Sequence, residues 1–263
     1  MSRRRTATLV ALAILCDLFI APGARAADCD GDRGLAAASN GDYQGALAAW
    51  AESAANHDDV ALVELTVMRF WGMGDELMEP YDLRSLPARQ ALSHLERCAE
   101  RGNVGAQLVA GTAYLIGSGS PVNVDAARDL FSRAAHEGSA LGTFGLAVIA
   151  ERTGDSNRAA VLVEEALSSS ALDPYFVGYQ YFRGLSFPKS YERAAAWFRK
   201  GAEKNDPKSQ GALSYMYLLD LGVPRNQQEA ERLGDLAKRN GLEFRSDGQQ
   251  VITHVEGSNA SKK

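Results

Sequence analysis

Asp28, Asp30 and Asp32 alternate as the first three ligands of a calcium loop would. Such a loop also needs a glycine at its sixth position and a bidentate glutamate at its twelfth. Those places hold Arg33 and Ser39, so calcium chemistry is not expected. His57, His94, His136 and His254 show no paired metal spacing. His94 and Cys98, four apart, share a helix face, but a zinc site needs three or four ligands. No Gly-x-Ser-x-Gly elbow, phosphate loop or dinucleotide fingerprint is present. The acidic side chains are spread along helices as solubilising groups rather than gathered as an acid and a base. The sequence therefore assigns no catalytic residue, no metal and no cofactor.

The N-terminus has the layout of a secretory signal. Arg3, Arg4 and Arg5 precede a short apolar run from Leu9 to Ala21, and Ala24-Arg25-Ala26 follows as a small-x-small cleavage site. The run is too short to span a bilayer and carries Asp17. Residues 1–26 are read as a signal peptide cleaved after Ala26. Lipid attachment would need a small residue before a cysteine, whereas Cys16 follows Leu15 and Cys29 follows Asp28. A periplasmic or secreted product without stable membrane insertion is expected. The chain has 28 basic and 33 acidic side chains. Cleavage would remove four arginines and one aspartate, making the product more acidic, which argues against nucleic acid as a partner. Cys29 and Cys98 remain. They are a candidate disulfide between the N-terminal segment and the second hairpin, or Cys98 is only a small buried residue, since pairing cannot be read from sequence.

The elements that would carry any site repeat about every 36 positions. Phe70, Tyr114, Ala150, Tyr181 and Tyr217 form one column, with Val67, Gly111, Ala147, Gly178 and Ser214 three residues before. Ala91, Ala127, Ala159, Ala194 and Ala230 form a second, followed seven later by Cys98, Ala134, Ala166, Gly201 and Ala237. A period of this length means stacked helical hairpins. Helices are predicted at 43–55 with 59–71, 87–101 with 104–116, 125–137 with 140–152, 157–169 with 174–183, and 190–204 with 207–219. A terminal helix at 227–240 has no clear partner. Asp173-Pro174 and Asp206-Pro207 read as helix starts, Asn226 with Glu229 as a capping box. Gly117, Gly119, Gly184 and Gly222 read as helix ends. Residues 27–240 form the solenoid and 241–263 a mobile polar tail. The columns of small residues let helices approach closely.

Residues 99–127 and 194–230 resemble the Sel-one-like repeat family, a branch of the tetratricopeptide-like superfamily. Trp197, Phe198, Ala202, Glu203, Gln210 and Tyr217 carry the likeness in one copy, and Ala99, Glu100, Gly102, Ala106, Gln107, Gly111, Tyr114, Gly117 and Gly119 in the other. The resemblance implies an all-α, right-handed α-α solenoid of about five hairpins plus a capping helix, acting as a protein-binding adaptor in the cell envelope. One exported branch with paired cysteines in every repeat is linked to β-lactam binding or hydrolysis. This chain lacks those pairs, so that β-lactam activity is not carried over; the alternative function is a small-molecule or cell-wall-fragment binder or hydrolase in the manner of those relatives.

In the superfamily's register, the helix bearing the aromatic column lines the concave face at positions six before, two before and one after the aromatic. These are Glu64, Met68 and Trp71; Leu108, Thr112 and Leu115; Phe144, Val148 and Glu151; Tyr175, Tyr179 and Phe182; and Gly211, Tyr215 and Leu218. They either form an aromatic groove for a peptide or helix or pack as core. Arg183 and Arg152 would give such a groove positive ends. The insertion 72–87, with Leu77, Met78, Tyr81 and Leu83, is a second candidate surface.

Overall fold

The structure, a computed structural model, describes residues 29, 31–55, 58–72, 85–169 and 171–242. The N-terminal stretch expected to be a signal peptide (1–26), residues 73–84 of the expected insertion and residues 243–263 of the expected tail lie outside the described residues. Asn123, Ser190 and Asn226 show what sets the period: each donates its backbone N–H to the carbonyl of a column aromatic, Tyr114, Tyr181 and Tyr217, at 3.0, 3.0 and 3.1 Å. Each of the three then caps the following helix with its side chain. At Ala150 the acceptor is the same, but the donor is Asp155, only five residues on. The shortened spacing there is a trimmed turn, and the helix that ends at Arg183 has 10 residues against 13 in those carrying Tyr114, Ala150 and Tyr217.

Twelve α-helices result among the described residues: α1 Arg33–Ser39, α2 Tyr43–Ala55, α3 Asp59–Met68, α4 Leu86–Glu100, α5 Val104–Ile116, α6 Val124–His136, α7 Ala140–Arg152, α8 Ser156–Ala166, α9 Pro174–Arg183, α10 Tyr191–Glu203, α11 Pro207–Leu219 and α12 Gln227–Arg239. A short 3-10 turn, Arg69–Trp71, extends α3. Successive helices pack against each other as an all-α solenoid, except that α8 and α9 barely touch. Both alanine columns are buried, Cys98 included. Glycine is required where rings press on backbone. A Cβ on Gly145 would stand 2.7 Å from the Phe131 ring, and one on Gly178 2.6 Å from Phe198. Phe131 and Phe198 are fully buried, whereas Tyr114 and Tyr217 of the aromatic column are only partly so.

Three local expectations are corrected. α12 is not unpartnered: it lies along α11, and Ser214 donates its hydroxyl to the Ala230 carbonyl at 2.6 Å. Asn226 caps α12 but no reciprocal box forms, because the Glu229 carboxylate turns to Arg232 at 2.6 and 2.8 Å. The left-handed residue ending α11 is Asp220 (φ 57°), not a glycine; Gly117 and Gly184 end α5 and α9 as expected.

The N-terminal helices fold back on the stack. Ser39 accepts the Gly105 N–H at 2.7 Å at the start of α5, and the Tyr43 hydroxyl meets Ser139 and the Leu141 backbone at the start of α7. Trp71 closes the other end. Its indole donates to Thr112 Oγ1 at 3.0 Å, and its carbonyl accepts from Gln180 Nε2 at 2.6 Å, 109 residues away. Its ring meets Phe131 and Phe144 edge-on at 6.1 and 5.7 Å. Glu64, Met68, Trp71 and Phe144 are therefore core, not groove: each is at most 1% exposed. Leu108, Thr112, Leu115 and Val148 are buried with them.

Cys29 and Cys98 are joined, with Cα atoms 5.5 Å apart and 69 residues between them in sequence. The bridge ties the segment before α1 to α4. Closing a loop of this length restricts the unfolded chain. Reduction is expected to lower stability by about 2–4 kcal/mol, measured by urea denaturation with and without dithiothreitol.

Glu64 carries a second prediction. Neither of its carboxylate oxygens has a hydrogen-bond partner among the described residues. Burial, then the nearby Asp32 and Asp58 carboxylates, push its carboxyl well above 4.5. The folded state thus holds a proton that the unfolded state releases above that value, so stability falls as pH rises from there through the folded pKa. The contribution is up to about 1.4 kcal/mol per pH unit. Urea titrations from pH 4.5 to 8 should show Glu64→Gln gaining on the wild type as pH rises and converging with it at the acidic end.

Candidate functional site

With the earlier helices filled by the chain's own aromatics, the site must be sought on α9 and α11. α9 starts at the Asp173 cap, whose side chain accepts the Phe176 N–H at 2.7 Å, and ends in the left-handed Gly184. Between them Tyr175, Tyr179 and Phe182 fall on one face, four and three residues apart. Tyr175 stacks on Tyr179 at 5.9 Å and tilts against Phe198 at 5.6 Å. Burial, then Tyr179, pushes the Tyr175 hydroxyl far above its ordinary range, so it stays neutral. Phe182 sits at the centre, 5.3 Å from Tyr191, 6.3 Å from Phe198 and 6.4 Å from Tyr215. Tyr175, Tyr179 and Phe182 are half-buried, Arg183 exposed.

α11 continues this face outward. Tyr215 is 37% exposed, Leu218 42% and Leu219 50%. Leu219, the last residue of α11 before the left-handed Asp220, was not singled out from the sequence. The other exposed large apolar residues among those described are Val122, after α5, and Val161, on α8.

Cations edge the aromatics. Arg183 donates to the Tyr179 hydroxyl at 2.6 Å, Lys189 lies 4.7 Å over Tyr191, and Lys208 lies 5.9 Å from the Tyr175 ring. Arg152 plays a different part from the one expected. It donates to the Leu115 carbonyl at 3.4 Å and covers Phe70 at 5.3 Å, a structural clamp. Glu151 likewise pairs with Arg193 at 2.8 Å.

Of the polar residues considered for chemistry, Asp32 caps α1 through the Leu35 N–H. His94 is buried 3.6 Å from the disulfide sulfur of Cys98, and burial lowers its pKa, so its imidazole is held neutral. His136 is at the surface beside Glu137. His57 and His254 lie outside the described residues. No three His, Cys, Asp or Glu side chains stand together as metal ligands among the described residues. In a shallow depression beside Trp197, Lys200 pairs with Glu164 at 2.5 Å and lies over the Trp197 ring at 4.0 Å. No helix among the described residues is long and apolar enough to cross a membrane.

The sequence matches the Sel1 repeat family over residues 104–139, 175–206 and 207–242. These stretches pair α5 with α6, α9 with α10 and α11 with α12, so the repeat begins on the helix bearing the aromatic. No curated protein matches the chain significantly. Among solved structures, a Sel1 repeat protein from Oxalobacter formigenes is 23% identical, with a TM-score of 0.40, over 75% of this chain and 56% of its own. A protective antigen of uropathogenic Escherichia coli strains, displaying an SLR fold, is 23% identical with a TM-score of 0.40, over 82% of this chain and 49% of its own. The chain thus spans about half the length of the solved proteins it matches. On this all-α stack of hairpins the chain thus carries three Sel1 repeats.

Proposed function

We propose that the protein is an exported scaffold that holds another protein of the cell envelope against the aromatic face of α9 and α11. Sel1 repeats generally mediate protein–protein interactions, and such scaffolds are typically non-catalytic. The observation that carries the reading is the run of exposed Tyr215, Leu218 and Leu219, continuous through Phe182 with Tyr179 and Tyr175. Such rings are rigid and lose little entropy on binding, and the cations at their edges suit a segment with apolar side chains beside carboxylates. The signal-like N-terminus and the Cys29–Cys98 bridge support export, because disulfides persist in oxidising compartments.

The test is in-cell crosslinking of the tagged protein followed by mass spectrometry. Because both side chains are substantially exposed, Tyr215→Ala with Leu218→Ser should change stability only slightly, by about 0.5 kcal/mol each. One dominant envelope protein is expected with the wild type, and at least a tenfold loss of it with a double variant whose melting temperature is within a few degrees. Undiminished capture by the folded variant would remove the interface from this face.

A further inference from the structure

The units that carry Tyr114 and Tyr217 correspond residue for residue, so one can be read against the other: Cys98 matches Gly201, and Asn123 matches Asn226. Gln107 and Gln210 are such a pair, seven residues before the column position, where the other units have Val63, Thr143 and Pro174. Each glutamine donates Nε2 back to the carbonyl eight residues earlier, Ala99 or Ala202, at 3.4 Å. Their Oε1 atoms fare differently. Gln210 Oε1 is met by Asn240, the residue that ends α12, whose Nδ2 donates to it at 2.9 Å and to the Asn205 carbonyl at 3.5 Å. The counterpart of Asn240 is Glu137, which ends α6, and a carboxylate can only accept. Gln107 is 2% exposed, and its Oε1 is buried with no donor among the described residues. Turning the amide over gives no relief, because it would set Oε1 against the Ala99 carbonyl. The acceptor therefore bears its desolvation cost uncompensated.

The corner that Asn240 and Asn205 fill in the last unit is a depression here. It has a volume of about 470 Å³, the size of a small-molecule site, and is lined by Gly102, Gln107, Ser132, Arg133, His136 and Glu137. Gly102 stands where Asn205 does, and a Cβ on it would meet nothing within 4 Å. The Glu137 and His136 side chains are 61% and 89% exposed, 3.8 Å apart. They are surface groups free to turn towards a ligand. Arg133 replaces Leu236 of the last unit. Its guanidinium donates to the Ala99 carbonyl and lies 3.9 Å from Asp129. With five N–H donors in all, it retains some for another acceptor. An orphaned carbonyl oxygen and a carboxylate thus face the missing donor, with a guanidinium beside them.

We propose that this depression binds an α-amino acid, its ammonium between Gln107 Oε1 and the Glu137 carboxylate and its carboxylate on Arg133. The ammonium supplies the N–H that Asn240 supplies in the last unit, and its three donors suffice for both acceptors. The carboxylate suits the planar fork of the arginine. Water would satisfy Gln107 but would match neither charge. The site shares no residue with the aromatic face and is tested apart from the function proposed there. The purified full chain is melted with each of the common amino acids at about 10 mM, and calorimetric titration follows for any that acts. At least one is expected to raise the melting temperature by about 3 °C or more, whereas its N-acetyl and α-amide forms, each lacking one charge, do not. Glu137→Asn, a surface change, places the side chain of the last unit in the corner; it should melt higher than the wild type and bind the amino acid at least tenfold more weakly. No shift with any amino acid, an equal shift with either blocked form, or undiminished binding by Glu137→Asn would overturn the proposal.

Discussion

The close approach of helix backbones governs this molecule. Phe131 lies against Gly145, and Phe198 against Gly178, with no room for a Cβ between ring and helix. The alanine columns at 91, 127, 159, 194 and 230 are almost fully buried. Small residues cost the helices little and let dispersion act over the whole contact. The unit length then follows from a polar bond rather than from packing. Tyr114, Ala150, Tyr181 and Tyr217 each offer a carbonyl to the residue that caps the next helix, so in these units turn length, cap and column position are fixed together. Ala150 shows that the carbonyl matters more than the ring, because its side chain is small and the bond to Asp155 is kept at 2.9 Å.

Repetition of this kind predicts neighbours well and distant contacts poorly. Helix positions, the Asp173 and Asp206 caps, the Gly117 and Gly184 ends and the burial of the columns were legible because each depends on residues within one repeat. The groove was not legible at α3, α5 and α7. Curvature is the sum of many small rotations, and only the folded chain shows it to be tight enough for the Trp71 carbonyl to meet Gln180. For the same reason Glu64 reads in sequence as a groove or core position alike, yet it sits in the core with neither oxygen bonded among the described residues. Cys29 and Cys98 were a candidate pair, and the choice depended on α1 folding back towards α4 and α5, which no local pattern encodes.

The Trp71 junction also explains why the exposed face lies towards the C-terminus. Its indole, Thr112 and the Leu108 carbonyl form one chain of bonds, and its carbonyl, Gln180 and Ser186 form another. A buried network with these groups paired adds rigidity, whereas losing one member would leave others desolvated and unpaired. The first three column helices are thereby locked to the fourth. Nothing comparable links α3 or α5 to α11 among the described residues. The aromatic row therefore passes from fully buried (Trp71, Phe144) through half-buried (Tyr175, Phe182) to exposed (Tyr215, Leu218) as it moves away from the junction.

This gradient separates two roles that one sequence pattern conflates. At each repeat the positions two before and one after the column residue carry large apolar side chains or their neighbours, and nothing in the local sequence distinguishes a residue that will be covered from one that will not. What distinguishes them is the presence of a later or earlier part of the chain in reach. Trp71 reaches Phe144, and Tyr191 reaches Phe182. On α11 the described chain brings Leu242 to one end of the stripe and Phe182 beside Tyr215, while Leu218 and Leu219 stay exposed.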